Sequence, residues 1–197
     1  MIKIFPTLIG SYTNSKHKEI EKSVVDWCFE LKKSIKSGGE NWLSKSTYNT
    51  IGQYSVWDDK EFLNINNFVL ESVKNYCKEL RIKEDSFYER PSDAWFNIYN
   101  KGDYQEYHHH GESIFSAVYF LKVTKNPAKI YFKSPVLDMI PPNYIEYTED
   151  TYERMYITPQ AGMLLVFRSH LEHSVEQHED DDKRISMAYN FKKKAIS

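Results

Sequence analysis

Arg184-Ile185-Ser186-Met187-Ala188-Tyr189-Asn190-Phe191 alternates with a period of two. Ile185, Met187, Tyr189 and Phe191 fall on one side; Arg184, Ser186, Ala188 and Asn190 fall on the other. Successive side chains of a strand point to opposite faces, so the octapeptide reads as a β-strand. Its polar side would ordinarily be the wet side of an edge strand. The same period runs back through Ala94–Tyr99, Ile114–Val123, Lys129–Lys133, Arg154–Thr158, Met163–Arg168 and Ser174–Gln177. These segments are short and rich in aromatic and β-branched residues, with Asn, Asp, Gly and Pro between them. So many short strands without intervening helices predict a mainly β fold, an antiparallel sandwich or barrel, with a jelly roll as the natural choice.

Nearer the N-terminus the period becomes helical. In Glu19–Lys36, Ile20, Val24, Cys28, Leu31 and Ile35 make one stripe that Gly38-Gly39 terminates. From about Asp59 to Arg81, Phe62, Ile65, Val69, Val73, Tyr76 and Leu80 make another, and Asp58 three residues before Glu61 resembles a capping box. One stripe each predicts two N-terminal helices packed on the β-structure. The expected organisation is a single domain over 1–197, with a helical layer at 1–90 and a jelly-roll core at 91–197.

The composition excludes several classes. Of 197 residues, 41% are hydrophobic and 15% aromatic, which rules out a wholly disordered chain. A net charge of −2 argues against a broad nucleic-acid-binding surface, though not against a local anion pocket. No apolar run approaches the roughly 20 residues of a membrane helix. The opening MIKIFPTLIGSYTN is a poor secretory signal, and Cys28 and Cys77 read as buried thiols rather than a disulfide. A cytoplasmic location, in the producing or a host cell, is the expectation; a homodimer is compatible with all of this.

Chemistry concentrates where the histidines do. Tyr107-His108-His109-His110-Gly111-Glu112 lies between two strand segments, and Ser169-His170-Leu171-Glu172-His173 follows another. At a strand end His108 and His110 can point together, and His173 returning on a neighbouring strand would complete a facial set of three with open metal positions. The bland reading is a polar loop of exposed histidines, and three imidazoles would equally suit zinc. Arg184 and Ser186 weigh against the bland reading, because an Arg fork beside a hydroxyl suits a carboxylate.

The chain resembles the 2-oxoglutarate- and iron(II)-dependent oxygenases, in particular uncharacterised phage and bacterial members related to prolyl hydroxylases. The likeness is carried by Ala94-Trp95-Phe96-Asn97-Ile98-Tyr99, Gly102-Asp103-Tyr104-Gln105, His108-His109-His110, Ser116–Leu121, Gly162–Phe167, His173 and Arg184–Asn190. It extends weakly to Asn41-Trp42-Leu43-Ser44. The resemblance implies a double-stranded β-helix with Fe(II) and 2-oxoglutarate as cofactors. It implies a dioxygenase that hydroxylates an unidentified peptide, nucleotide or small metabolite while 2-oxoglutarate becomes succinate and CO₂.

By position, His108 and His173 look like the outer two iron ligands, and Arg184 with Ser186 like the anchor of the far carboxylate. Asn97, Tyr99 and Tyr119 are further candidates for the cosubstrate pocket. Most such enzymes carry Asp or Glu two residues after the first His, where this chain has His110. The spacing to Gln105 and Ser116 favours His108, His110 and His173; the register His110-x-Glu112 is the alternative. Two other readings compete: a non-catalytic metal-binding jelly roll with a structural or assembly role, and a metal-dependent hydrolase. Only the oxygenase requires Arg184 and Ser186 to face the histidines' cavity. The stretch Lys133–Thr151, with Pro135, Pro141 and Pro142, reads as a long loop where specificity would reside.

Overall fold

The computed structural model describes residues 6–39, 42–136, 142–148 and 150–195. Strand β1 (Gly10–Thr13) is followed by helix α1 (His17–Ser34), the two-residue β2 (Tyr48–Asn49) and helix α2 (Leu63–Glu79). Then come β3 (Asp93–Tyr99), β4 (Gln105–His108), β5 (Phe115–Lys122), β6 (Ile130–Lys133) and β7 (Arg154–Ile157). Strands β8 (Met163–Arg168), β9 (His173–Val175) and β10 (Arg184–Phe191) complete the order. All strand pairs are antiparallel. They form a major sheet, β1-β8-β5-β10-β3-β2, and a minor sheet, β4-β9-β6-β7. This is the jelly roll that the period-two segments imply. Among the described residues, no helix is long and apolar enough to cross a membrane.

Each face of the major sheet has its own cover. Phe96, Ile98, Tyr119, Leu121, Ile185, Met187 and Tyr189 pack beneath Cys28, Ile65, Val69, Val73 and Cys77 of the two helices. Phe120, Leu165 and Phe167 point the other way, onto Ile130 and Phe132 of the minor sheet. Burying each such side chain contributes roughly 1.5–3 kcal/mol. Strand β10 lies between β5 and β3, and all eight of its residues are buried. Its polar side is therefore no wet edge: Arg184, Ser186 and Asn190 face the space between the sheets.

Several boundaries differ from expectation. The second helix does not begin at Asp59; 3₁₀ turns at Val56–Asp58 and Lys60–Phe62 precede it. Asp59, not Asp58, caps the entry, accepting the Glu61 N–H at 2.9 Å. Asp58 instead holds Arg90 through both carboxylate oxygens. β1, β2 and β4 were not expected, and β9 begins one residue earlier than its predicted segment. Of the loop Lys133–Thr151, residues 137–141 and 149 lie outside the described residues, Pro141 among them, and so does Asn41.

Two tight turns set the frame. Gly162 adopts φ +82°, and a Cβ there would come within 2.7 Å of the His17 side chain, so the β8 entrance can seat against α1 only as glycine. Between β3 and β4, the buried Asp103 carboxylate accepts from the Asn100 backbone N–H at 2.7 Å, from the Asn100 amide at 3.0 Å and from the Ser44 and Ser46 hydroxyls. That knot ties residues 44–46 to the turn that launches β4.

Candidate metal centre

Three histidines converge where β4 ends and β9 begins. His108 lies opposite His173 in the β4–β9 pairing, after an irregularity that follows Gln105. His110 is fixed two residues on, its backbone N–H on the Ser169 carbonyl at 2.9 Å. One nitrogen from each of His108, His110 and His173 lies within 4.8 Å of the others. The ring centroids are 4.2–5.3 Å apart. Among the described residues this is the one such cluster of His, Cys, Asp or Glu side chains.

Burial keeps all three imidazoles neutral at pH 7. It pulls His173 well below the usual histidine range, with His108 adding to the effect. His110 is pushed down to about 4 by burial and by the neighbouring His108 and His109. Burial also lowers His108, against the hydrogen bond it makes to Glu106. The Nδ1–H of His108 donates to the Glu106 carbonyl at 2.8 Å, and that of His173 to the Leu171 carbonyl at 2.9 Å. A carbonyl can only accept, so each ring is left with its lone pair on Nε2, the state a metal needs.

The same three histidines line a cavity of about 270 Å³ together with Arg184, Ser186, Asn97 and Tyr99. Arg184 is fully buried, and none of its three guanidinium nitrogens has a hydrogen-bond partner. Its guanidinium carbon lies 4.6 Å from the Tyr99 ring centroid and 5.5 Å from that of Phe120. Burial lowers the Arg184 pKa, an effect that nearby Tyr99 partly offsets. A buried cation whose hydrogens all lack acceptors is costly on its own and fits an anionic group that supplies them. Ser186 sits opposite Asn97 across β10 and β3, and Asn97 accepts the Trp95 indole N–H at 3.1 Å.

Two expected residues are not brought here. Tyr119 points to the helix side of the sheet, its hydroxyl 2.8 Å from Nδ1 of His17. It is a correction to the cosubstrate set, and the reason is parity: Val118 lines the cavity, so its neighbour on β5 must face away. Glu112 has an 88% exposed side chain paired with Lys192, and lies outside the histidine cluster. Conversely, Trp42, Gln105 and Glu106 line the cavity without having been singled out. Trp42 and Gln105 fall in segments that carry the family resemblance, and Gln105 also stands three residues before His108; Glu106 had no such signal.

The family described as "Putative 2OG-Fe(II) oxygenase" matches residues 93–190, from β3 to β10. The chain belongs to the 2-oxoglutarate/Fe(II) oxygenase superfamily. The cofactors that go with this membership, Fe(II) and 2-oxoglutarate, suit the three imidazoles and the unpaired guanidinium respectively. A sequence comparison with curated proteins gives no match.

Solved structures share the oxygenase's fold. A Pseudomonas putida prolyl-4-hydroxylase superposes with a TM-score of 0.60 at 13% identity, over 94% of each chain. A Trichoplax adhaerens prolyl hydroxylase in complex with a hypoxia-inducible-factor peptide fragment gives 0.63 at 13%, over 93% of this chain and 83% of that one. HygX of Streptomyces hygroscopicus, with nickel and 2-oxoglutarate bound, gives 0.63 at 9%, over 94% and 83%.

Proposed function

We propose that the chain is one catalytic domain that hydroxylates a C–H bond of a peptide or small molecule, with 2-oxoglutarate converted to succinate and CO₂. In this reading His108, His110 and His173 hold the iron, while Arg184 and Ser186 hold the far carboxylate of 2-oxoglutarate. The observation that carries it is the buried, unpartnered guanidinium of Arg184 in the same cavity as three neutral imidazoles.

When bound, Fe(II) and 2-oxoglutarate supply the activation of dioxygen and the electrons it consumes. The protein does the rest. Three neutral imidazoles leave the centre a formal charge of +2, against +1 where one ligand is a carboxylate, and so draw in a dianion more strongly. Arg184 presents a planar fork to a carboxylate, and Ser186 adds a hydroxyl donor. Tyr99 and Phe120 wall off water around the guanidinium and strengthen the pairing. Asn97 and Trp95, locked to each other, form the floor on β3.

The test is anaerobic titration of the full chain with Fe(II) and 2-oxoglutarate, watching for a visible charge-transfer band, followed by succinate measurement in oxygen. The band and uncoupled succinate release are expected. Their absence, together with tight zinc binding, would instead make the chain a metal-binding module without this activity. Replacing His110 by Ala should abolish the band, whereas Glu112→Ala should leave it intact.

A further inference from the structure

Resting on that reading of the metal centre, His110 poses a problem that His108 and His173 do not. Those two have their tautomers fixed by backbone carbonyls. Nδ1 of His110 instead faces the side-chain amide of Asn190, 3.2 Å from its nitrogen. An amide offers both a donor and an acceptor, so this partner fixes nothing by itself. With the amide nitrogen donating to Nδ1, the hydrogen of His110 must sit on Nε2, and the ring has no lone pair for a metal. With the amide turned by half a revolution, Oδ1 accepts from Nδ1–H and Nε2 is free.

What stands behind Asn190 allows either orientation. Ser116 Oγ is 2.8 Å from Asn190 Oδ1 and 2.8 Å from Ser169 Oγ. Asn190 and Ser116 are direct cross-strand partners, and all three side chains are at least 95% buried. A hydroxyl can donate or accept. Ser116 can therefore donate to Oδ1 in one state, or accept from the amide NH₂ and donate to Ser169 in the other. The chain is short, buried and closed, and its direction is coupled to the tautomer of one ring.

We propose that Asn190 is the positioning residue that makes His110 a metal ligand. With Oδ1 turned to the ring it holds the hydrogen on Nδ1 and aims the Nε2 lone pair at the ion, and the Ser116–Ser169 hydroxyls turn with it.

The test uses the full chain labelled with ¹⁵N-histidine, free of metal and then loaded with Zn(II), read by long-range ¹H–¹⁵N correlation and by competition titration for zinc affinity. In the loaded protein all three rings should carry hydrogen on Nδ1. Asn190→Ala should weaken zinc binding by about 10–100-fold. Asn190→Asp, whose carboxylate only accepts, should bind zinc at least as tightly as the unaltered chain. A purely structural Asn190 would lower the melting temperature in both variants and leave affinity and tautomer alone, which overturns the proposal. So does a loaded His110 that keeps its hydrogen on Nε2, a result needing no variant that folds. If zinc perturbs none of the three rings, the metal-centre reading itself falls, and the proposal with it.

Discussion

Arg184 shows what one buried charge implies. With no acceptor for its guanidinium hydrogens it costs the ligand-free fold, and a hydrophobic side chain of similar length should be no worse. Arg184→Met is expected to leave the ligand-free protein equally stable or more stable, by up to about 4 kcal/mol in a denaturant titration. The same change should weaken 2-oxoglutarate binding by roughly 10–150-fold, the worth of a charge-assisted hydrogen bond of about 1.5–3 kcal/mol. A variant that loses stability yet keeps its cosubstrate would assign Arg184 to the core. Tyr119→Phe provides the opposite case. Losing its hydrogen bonds with His17 and Asn14 should cost about 1–3 kcal/mol of stability, with 2-oxoglutarate affinity unchanged in calorimetry.

At the scale of elements, legibility follows length and pattern. β10, β8 and β3 were readable because six to eight residues repeat with period two, and the period itself assigned Arg184 and Ser186 to one face. β4 was not, since Gln105-Glu106-Tyr107-His108 is polar for the sake of the cavity and carries no apolar alternation. β2 is two residues long, too short for any period. The histidines were found by spacing, while Trp42 was missed because its approach to the cavity depends on a loop pinned by Asp103.

The capping residue ahead of α2 is one position later than expected, Asp59 for Asp58, because the two are equivalent in sequence and differ only in their partners. Asp59 accepts from the Trp27 indole at 2.6 Å, from the Tyr54 hydroxyl and from the Glu61 N–H, and so joins α1 to the entrance of α2. Burial raises its pKa, yet these hydrogen bonds outweigh it and hold the carboxyl below the ordinary 3.8. A depressed carboxyl contributes stability that is present above the unfolded pKa and lost as pH falls through the folded one. The unaltered chain is therefore expected to lose thermal stability below about pH 4, and Asp59→Asn to flatten that loss, when melting curves of the two are compared across pH.

At the scale of the whole molecule, the major sheet separates two environments. One side carries a polar cavity, and the other an apolar helical layer in which Cys28 and Cys77 are fully buried. Burial pushes the Cys28 thiol well above its ordinary pKa. Neither sulfur can meet a reagent in water until the helices lift from the sheet. The pair thus acts as a chemical clock on the far side of the molecule from the chemistry. Under native conditions, thiol modification by an aromatic disulfide should run at the pace of opening. Added to the metal-loaded chain, 2-oxoglutarate at 100 times its dissociation constant should slow it about a further 100-fold if lifting the helices also dismantles the cavity. Labelling that is indifferent to ligand would show that the helical layer opens alone. Occupancy of one face would then be timed by sulfur on the other, without any turnover being measured.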